Sequence, residues 1–214
     1  MEITPVINCD SLVCVNEKLK KLATFSPRVK HVHIDVGVPP VSSVRTPLFS
    51  KPVTQYAKTF SFVLHCMVPE RLFFSRSHRV KGVGLVYYHA SQITQKEKFE
   101  ARVREWKKSG VETGVAITLQ DPRSSFVLPR GVRHILVLAV KPGKSNQKFN
   151  TRAYSLISFL KGKFPRAILT VDGGITPVIA RKLRARGVSR VTSGGYIWSG
   201  SSPEKKYQEL KQKS

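Results

Sequence analysis

The chain has 214 residues, 41% hydrophobic and 23% charged, which excludes a disordered or low-complexity polypeptide and suits one large core in a single domain, residues 1–214. Thirty-seven Lys and Arg stand against 13 Asp and Glu, a net charge of +24 that attracts phosphorylated ligands, nucleic acid or anionic surfaces and says nothing about fold. The basic excess runs from Lys18, Lys20 and Lys21 to Lys205, Lys206, Lys211 and Lys213 without gathering on one motif, so nucleic-acid binding is expected to be weak and non-specific at most, and no apolar run approaches membrane-spanning length.

Along the chain, β-like and α-like segments alternate, the mark of a parallel α/β fold. Strands are predicted at Ile3–Asn8, His31–Asp35, Phe60–Met67, Val83–His89, Thr113–Thr118, His134–Val140, Ala167–Asp172 and Arg190–Gly194. Most read as continuous Val- and Ile-rich runs, as strands buried on both faces do. A helix over Gln95–Ser109 puts Phe99, Val103 and Trp106 on one face, and Tyr154, Ile157 and Leu160 repeat likewise along Thr151–Lys161. After Asp172 the punctuation is clear: Thr176 is a candidate N-cap, Pro177 takes the first helical position, and Gly187 stands just past the end. Val36–Ala57, with four prolines, must hold the second helix but shows no period that places it, and Gln120–Arg130 is too short and Pro-rich for a full helix. The order reads as a (β/α)₈ barrel.

Cys9, Cys14 and Cys66 are odd in number and contain no C-x-x-C pair, which argues against a disulfide framework and for a reducing, cytoplasmic setting. The first residues show no charged-then-apolar leader pattern.

Residues at the C-terminal ends of barrel strands face the mouth of the barrel. His33 and Asp35, two apart, point the same way, and so do His65 and Met67, which turns Cys66 outward. With Asp172 these make two imidazoles and two carboxylates at the ends of the second, third and seventh strands, a donor set suited to one Zn²⁺ or Fe²⁺, or else Mn²⁺ or Co²⁺, rather than Mg²⁺. A His-x-Asp pair on a strand is also commonly a plain hydrogen-bonded pair. Glycines follow the last two strands at Gly173-Gly174 and Gly194-Gly195, where barrels commonly bind phosphate through backbone N–H groups, although glycines also serve close packing.

At these residues the chain resembles the ribulose-phosphate 3-epimerase family. His33-Ile34-Asp35 is similar to the family's His-x-Asp, and His65-Cys66-Met67-Val68 to its His-Leu-Met-Val. Val140-Lys141-Pro142-Gly143 with Gln147-Lys148-Phe149 resembles its strand-six loop, and Val171-Asp172-Gly173-Gly174-Ile175 is its Val-Asp-Gly-Gly-Ile unchanged. The resemblance implies that His33, Asp35, His65 and Asp172 bind the metal, and that Asp35 and Asp172 exchange a proton at C3 of D-ribulose 5-phosphate through an enediolate, giving D-xylulose 5-phosphate. It also implies that Met67 packs beside the reacting centre and that Gly143, Lys144, Ser145, Asn146, Gly173, Gly174, Gly194 and Gly195 bind the substrate and its phosphate. A homo-oligomer is expected.

The chain departs from the family at several points. Gly143-Lys144-Ser145-Asn146 replaces Gly-Phe-Gly-Gly; Val36-Gly37 stands without the family's Met-Asp; Val6 occupies the place of a Ser; and Gly194-Gly195 replaces Gly-Ser. Lys144 and Ser145 offer side-chain donors where backbone donors are lost. Two alternatives follow: the same chemistry on allulose 6-phosphate, or a barrel whose catalysis has decayed and whose basic surface holds RNA or another polyanion. The phosphate-binding decarboxylases of similar architecture carry Asp-x-Lys-x-x-Asp, and no such Lys follows Asp35.

Overall fold

The eight predicted strands all form: β1 Glu2–Ile7, β2 His31–Gly37, β3 Ser61–Met67, β4 Val83–His89, β5 Glu112–Ile117, β6 His134–Leu138, β7 Ile168–Asp172 and β8 Arg190–Ser193. In this computed structural model, which describes residues 1–37, 50–75, 79–123, 126–142 and 147–213, they pair in parallel in chain order, and β8 returns to β1 to close the barrel. Closure leaves no sheet edge exposed for pairing with another chain.

The continuous apolar runs are explained by two separate cores. Val63, Leu85, Tyr87, Ala116, Leu136 and Leu138 fill the barrel interior. Their neighbours along the strands, among them Phe62, Leu64, Val86, Val115, Ile135 and Val137, face outward into a larger cluster beneath the helices. The period-2 alternation is present but apolar on both sides, so it does not appear as an alternation of polarity. Cys66 lies in the outer cluster, as its parity requires.

Seven helices clothe the barrel among the described residues: α1 Leu12–Ala23, α2 Ser50–Gln55, α3 Lys96–Lys108, α4 Arg152–Lys163, α5 Pro177–Arg184, α6 Gly195–Trp198 and α7 Pro203–Lys213. α1 docks through Val15, Leu19 and Leu22, all buried, and each such side chain contributes roughly 1.5–3 kcal/mol relative to exposure. The predicted ends of α3, Gln95 and Ser109, are its caps. Thr176 caps α5 by accepting from the Ile179 N–H at 3.4 Å, with Pro177 in the first turn and Gly187 at φ +70° beyond the end. Within Val36–Ala57 the structure supplies the short α2, while 38–49 lie outside the described residues. The described part of Gln120–Arg130 contains no helix, as expected from its prolines.

One expectation is corrected. Cys9 and Cys14 form a disulfide across the turn from β1 into α1, with Cα atoms 5.9 Å apart, inside the range a bridge requires. An odd cysteine count speaks only for the set as a whole. It does not prevent two residues brought together by a tight strand-to-helix turn from joining, and the cysteine argument for a reducing compartment falls with it. No helix of the described residues is long and apolar enough to cross a membrane.

Candidate active site

At the C-terminal mouth of the barrel a cavity of about 840 Å³ opens, lined by Asp35, His65, Met67 and Asp172 on one side and by the loops after β6, β7 and β8 on the other. β2 and β3 pair in register with Asp35 opposite His65, which brings their side chains together across one rung of the sheet. His33, two residues before Asp35 on the same face, is fully buried beneath them, and His65 is almost as deep. Asp35, only 13% exposed, receives both rings at a single oxygen: His33 Nε2 lies 3.2 Å and His65 Nδ1 3.1 Å from Oδ1.

One potential ligand atom from each of His33, Asp35 and His65 lies within 4.8 Å of the others. The three atoms are close enough together for one ion to lie among them. The donor chemistry fits too: two imidazoles and a carboxylate are a borderline-soft set. Asp172 lies outside this tight group but shares the cavity. Its register neighbour Thr192 on β8 donates a short hydrogen bond to Oδ1, fixing the carboxylate from behind.

The two acids lean in opposite directions. Burial would raise the pKa of Asp35, but hydrogen bonds from His33 and His65 and their charges outweigh it and hold the carboxyl well below its usual range. Asp172 is pushed up, first by burial and then by the negative charge of Asp35. Carboxylates separated in this way are suited to act as base and acid in the same site.

Sequence reasoning missed His89. It ends β4, carries the inward parity of Leu85 and Tyr87, and is 6% exposed. Its Nε2 lies 2.9 Å from Nε2 of His65, with the rings stacked at 5.0 Å between centroids. Burial and the neighbouring His65 lower its pKa to about 3, so it stays neutral and can accept a proton-bearing nitrogen's hydrogen bond. The strand-end rule that selected His33 and His65 applies equally to His89.

On the far side, Gly173 and Gly174 adopt φ of +102° and +66°, and the loop after β6 lies against them. A Cβ on Gly174 would stand 2.2 Å from the Phe149 backbone nitrogen, and one on Gly173 would meet Val140 at 2.4 Å. Both glycines therefore serve close packing, whatever else they do. Gly194 and Gly195 also line the cavity, with Gly194 against Val6, which stands where the resembled family has a Ser. Gly143, Lys144, Ser145 and Asn146 lie outside the described residues.

The model of the ribulose-phosphate 3-epimerase family matches residues 3–198. Ribulose-phosphate 3-epimerase of Schizosaccharomyces pombe is 26% identical over 145 residues, covering 67% of this chain and 62% of that protein. The Helicobacter pylori protein of the same name is 28% identical over 158 residues, covering 71% and 70%, and the cytoplasmic isoform from Oryza sativa is 25% identical over half of this chain. Among solved structures, 3-hexulose-6-phosphate synthase from Salmonella typhimurium superimposes with a TM-score of 0.71 at 15% identity, covering 100% of this chain and 98% of that one. A mutant tryptophan synthase alpha-subunit from Pyrococcus furiosus does so with a TM-score of 0.74 at 14% identity, covering 99% and 98%. At such identities these likenesses speak for the barrel alone.

Proposed function

Since this chain belongs to the ribulose-phosphate 3-epimerase family, we propose that it is a metal-dependent isomerase, a single barrel domain that interconverts D-ribulose 5-phosphate and D-xylulose 5-phosphate. The observation that carries the reading is the cluster of His33, Asp35 and His65 at the floor of a cavity lined by Asp35, His65, Met67 and Asp172. His33, Asp35, His65 and Asp172 would hold one divalent ion, Zn²⁺ or Fe²⁺ by donor type, with Mn²⁺ or Co²⁺ as further options. When bound, that ion supplies Lewis-acid stabilisation of negative charge on oxygen.

The protein's own part is proton transfer. Epimerisation removes the C3 proton from one face of the sugar and returns one to the other, so it needs two acid/base groups on opposite sides. Asp35 on β2 and Asp172 on β7 come from separate strands and can serve the two faces, exchanging roles with the direction of reaction. Met67, 2% exposed, offers a polarisable apolar wall beside the reacting centre. The phosphate is proposed to bind on the other side of the cavity, at Gly173, Gly174, Gly194 and Gly195 together with Gly143, Lys144, Ser145 and Asn146.

A cytoplasmic location and a homo-oligomeric state belong to the same reading. The similarity to the rice protein named as a cytoplasmic isoform supports the former. Binding of nucleic acid to the +24 surface is proposed to be weak, non-specific and strongly dependent on salt. The test is elemental analysis of the purified protein together with an epimerase assay on ribulose 5-phosphate. Stoichiometric metal and conversion are expected; metal-replete protein that does not convert ribulose 5-phosphate would contradict the proposal, and conversion of a six-carbon ketose phosphate instead would move it to that substrate.

A further inference from the structure

The cavity also holds a cation that the proton chemistry does not use. Lys18 lies on α1, the helix that follows β1, and lines the same cavity as Asp172 and Gly194. Its Nζ donates to the Asn8 carbonyl at 3.3 Å and stands 5.1 Å from the centre of the Trp198 ring. Trp198 is itself fixed, donating from Nε1 to the Val6 carbonyl at 2.7 Å, and Val6 packs 3.2 Å from where a Cβ on Gly194 would be. A continuous run of contacts therefore joins Lys18, through Trp198 and Val6, to the loop after β8.

The electrostatics of Lys18 differ from those of its neighbours. Lys141 and Lys148 also line the cavity but are exposed, whereas Lys18 is half-buried. Among the described residues no carboxylate pairs with it. An ammonium has three N–H donors, and a carbonyl together with the face of an indole ring leaves part of that capacity unspent. Burial pulls its pKa down, the mark of a charge partly withdrawn from water. Such a group gains most from an anion that supplies charge and acceptors together.

We propose that Lys18 binds the phosphate monoester of the substrate from the α1 side, beside the loop after β8, and supplies by side-chain charge part of what a glycine-rich backbone loop would supply. The inference rests on the ketose-phosphate reading given above. It makes phosphate recognition depend on a point charge held in place by Asn8 and Trp198, and it lets the cavity distinguish a phosphorylated ketose from an unphosphorylated one.

Calorimetric titration with inorganic phosphate tests the site without turnover, alongside steady-state kinetics on ribulose 5-phosphate. Lys18→Met keeps an apolar stem over Trp198 and removes the charge. It should weaken phosphate binding roughly 10- to 100-fold, the scale of a lost charge-assisted hydrogen bond, and the kinetic change should fall on KM more than on kcat. Lys18→Gln keeps a donor for the Asn8 carbonyl. It should lose phosphate affinity to a similar degree if the charge is what matters, and should keep parental affinity if the lysine is only a structural tie. A parent that does not bind phosphate, or variants that bind it as well as the parent, would overturn the inference. A parent that binds phosphate through Lys18 yet does not epimerise ribulose 5-phosphate would refute the proposed reaction and leave the phosphate site standing.

Discussion

The two sides of the cavity are built by different means. On the β2–β4 side, and across at the end of β7, the chemical groups sit on strand ends whose register and parity are fixed by the barrel: His33, Asp35, His65, His89 and Asp172. On the opposite side the candidate phosphate-binding groups come from turns, the four-residue helix α6 and a lysine reaching in from α1. The strand side keeps His33, Asp35, His65, Met67 and Asp172 of the family's pattern, while lacking the Met-Asp that follows its His-x-Asp. The opposite side has exchanged several, with Val6 of β1 in place of Ser, Gly195 in place of Ser, and an altered 143–146 segment. Proton transfer demands fixed geometry, whereas an anion can be held by many combinations of donors, so the second side has more freedom to change.

The strongest way to break this comparison is to remove one acid. Asp35→Asn or Asp172→Asn keeps the shape of the side chain and an oxygen but removes the carboxylate proposed to move the proton, and under the two-acid scheme each direction of reaction needs both groups. Epimerase activity should fall roughly 10²–10⁴-fold in either variant, the usual worth of a general acid or base. Metal content should be measured for each. Variants that retain metal and near-parental activity would show that the two-acid scheme is wrong here.

His89 sharpens the same side. Nε2 of His65 faces His89 and Nδ1 faces Asp35; with Nδ1 given to the ion, His89 as the acceptor of Nε2–H would fix the ring's orientation. His89→Phe should weaken metal affinity roughly 10- to 100-fold, the range for lost outer partners of metal-ligating imidazoles, measured by competition with a chelator. His89→Gln, which returns an acceptor, should recover part of that loss. Equal metal affinity in parent and His89→Phe would reduce the contact to packing.

Much of the strand side was legible in the sequence because few rules govern it. Continuous apolar runs located all eight strands, and parity placed His33, Asp35 and His65 on the inner face. His89 obeyed the same rule and was overlooked because no motif marked it. The loop side was less legible for a physical reason: Lys18 is one of 37 basic residues, and nothing in its spacing shows that a helix carries it back over Trp198 to the cavity. The sequence left open whether Gly173 and Gly174 bind or pack, and only the fold shows their packing partners, Val140 and Phe149. The Cys9–Cys14 bridge depended likewise on the path of a turn.

On the loop side, Gly194→Val tests position directly. A Cβ there already meets Val6 at 3.2 Å, and the two branches of valine would intrude on the wall of the cavity. KM for ribulose 5-phosphate should rise several-fold while metal content is unchanged. An unaltered KM would move the phosphate elsewhere.

The smallest effect concerns acid stability of the metal-free protein. His89 and His134 are held down to about 3 and about 4, from an ordinary 6.5, chiefly by burial. Between 6.5 and those values the unfolded chain binds protons that the folded chain does not, so their contribution to stability is full above 6.5 and is lost as the pH falls. Asp172, pushed upward, acts in the opposite sense and partly offsets the fall. Thermal melts across this window should show Tm declining with acidity, with a shallower decline in His134→Phe. A Tm independent of pH there would contradict these assignments.

The central claim, that two acids at the barrel mouth move the C3 proton of a ketose phosphate, is tested most directly by following deuterium into C3 of ribulose 5-phosphate in heavy water with metal-replete protein. The account predicts that the parent incorporates solvent deuterium at C3 while forming xylulose 5-phosphate, and that Asp35→Asn and Asp172→Asn both lose inversion, with exchange surviving only in the variant that retains the abstracting base for that substrate. Absence of both exchange and conversion in the metal-replete parent would contradict it.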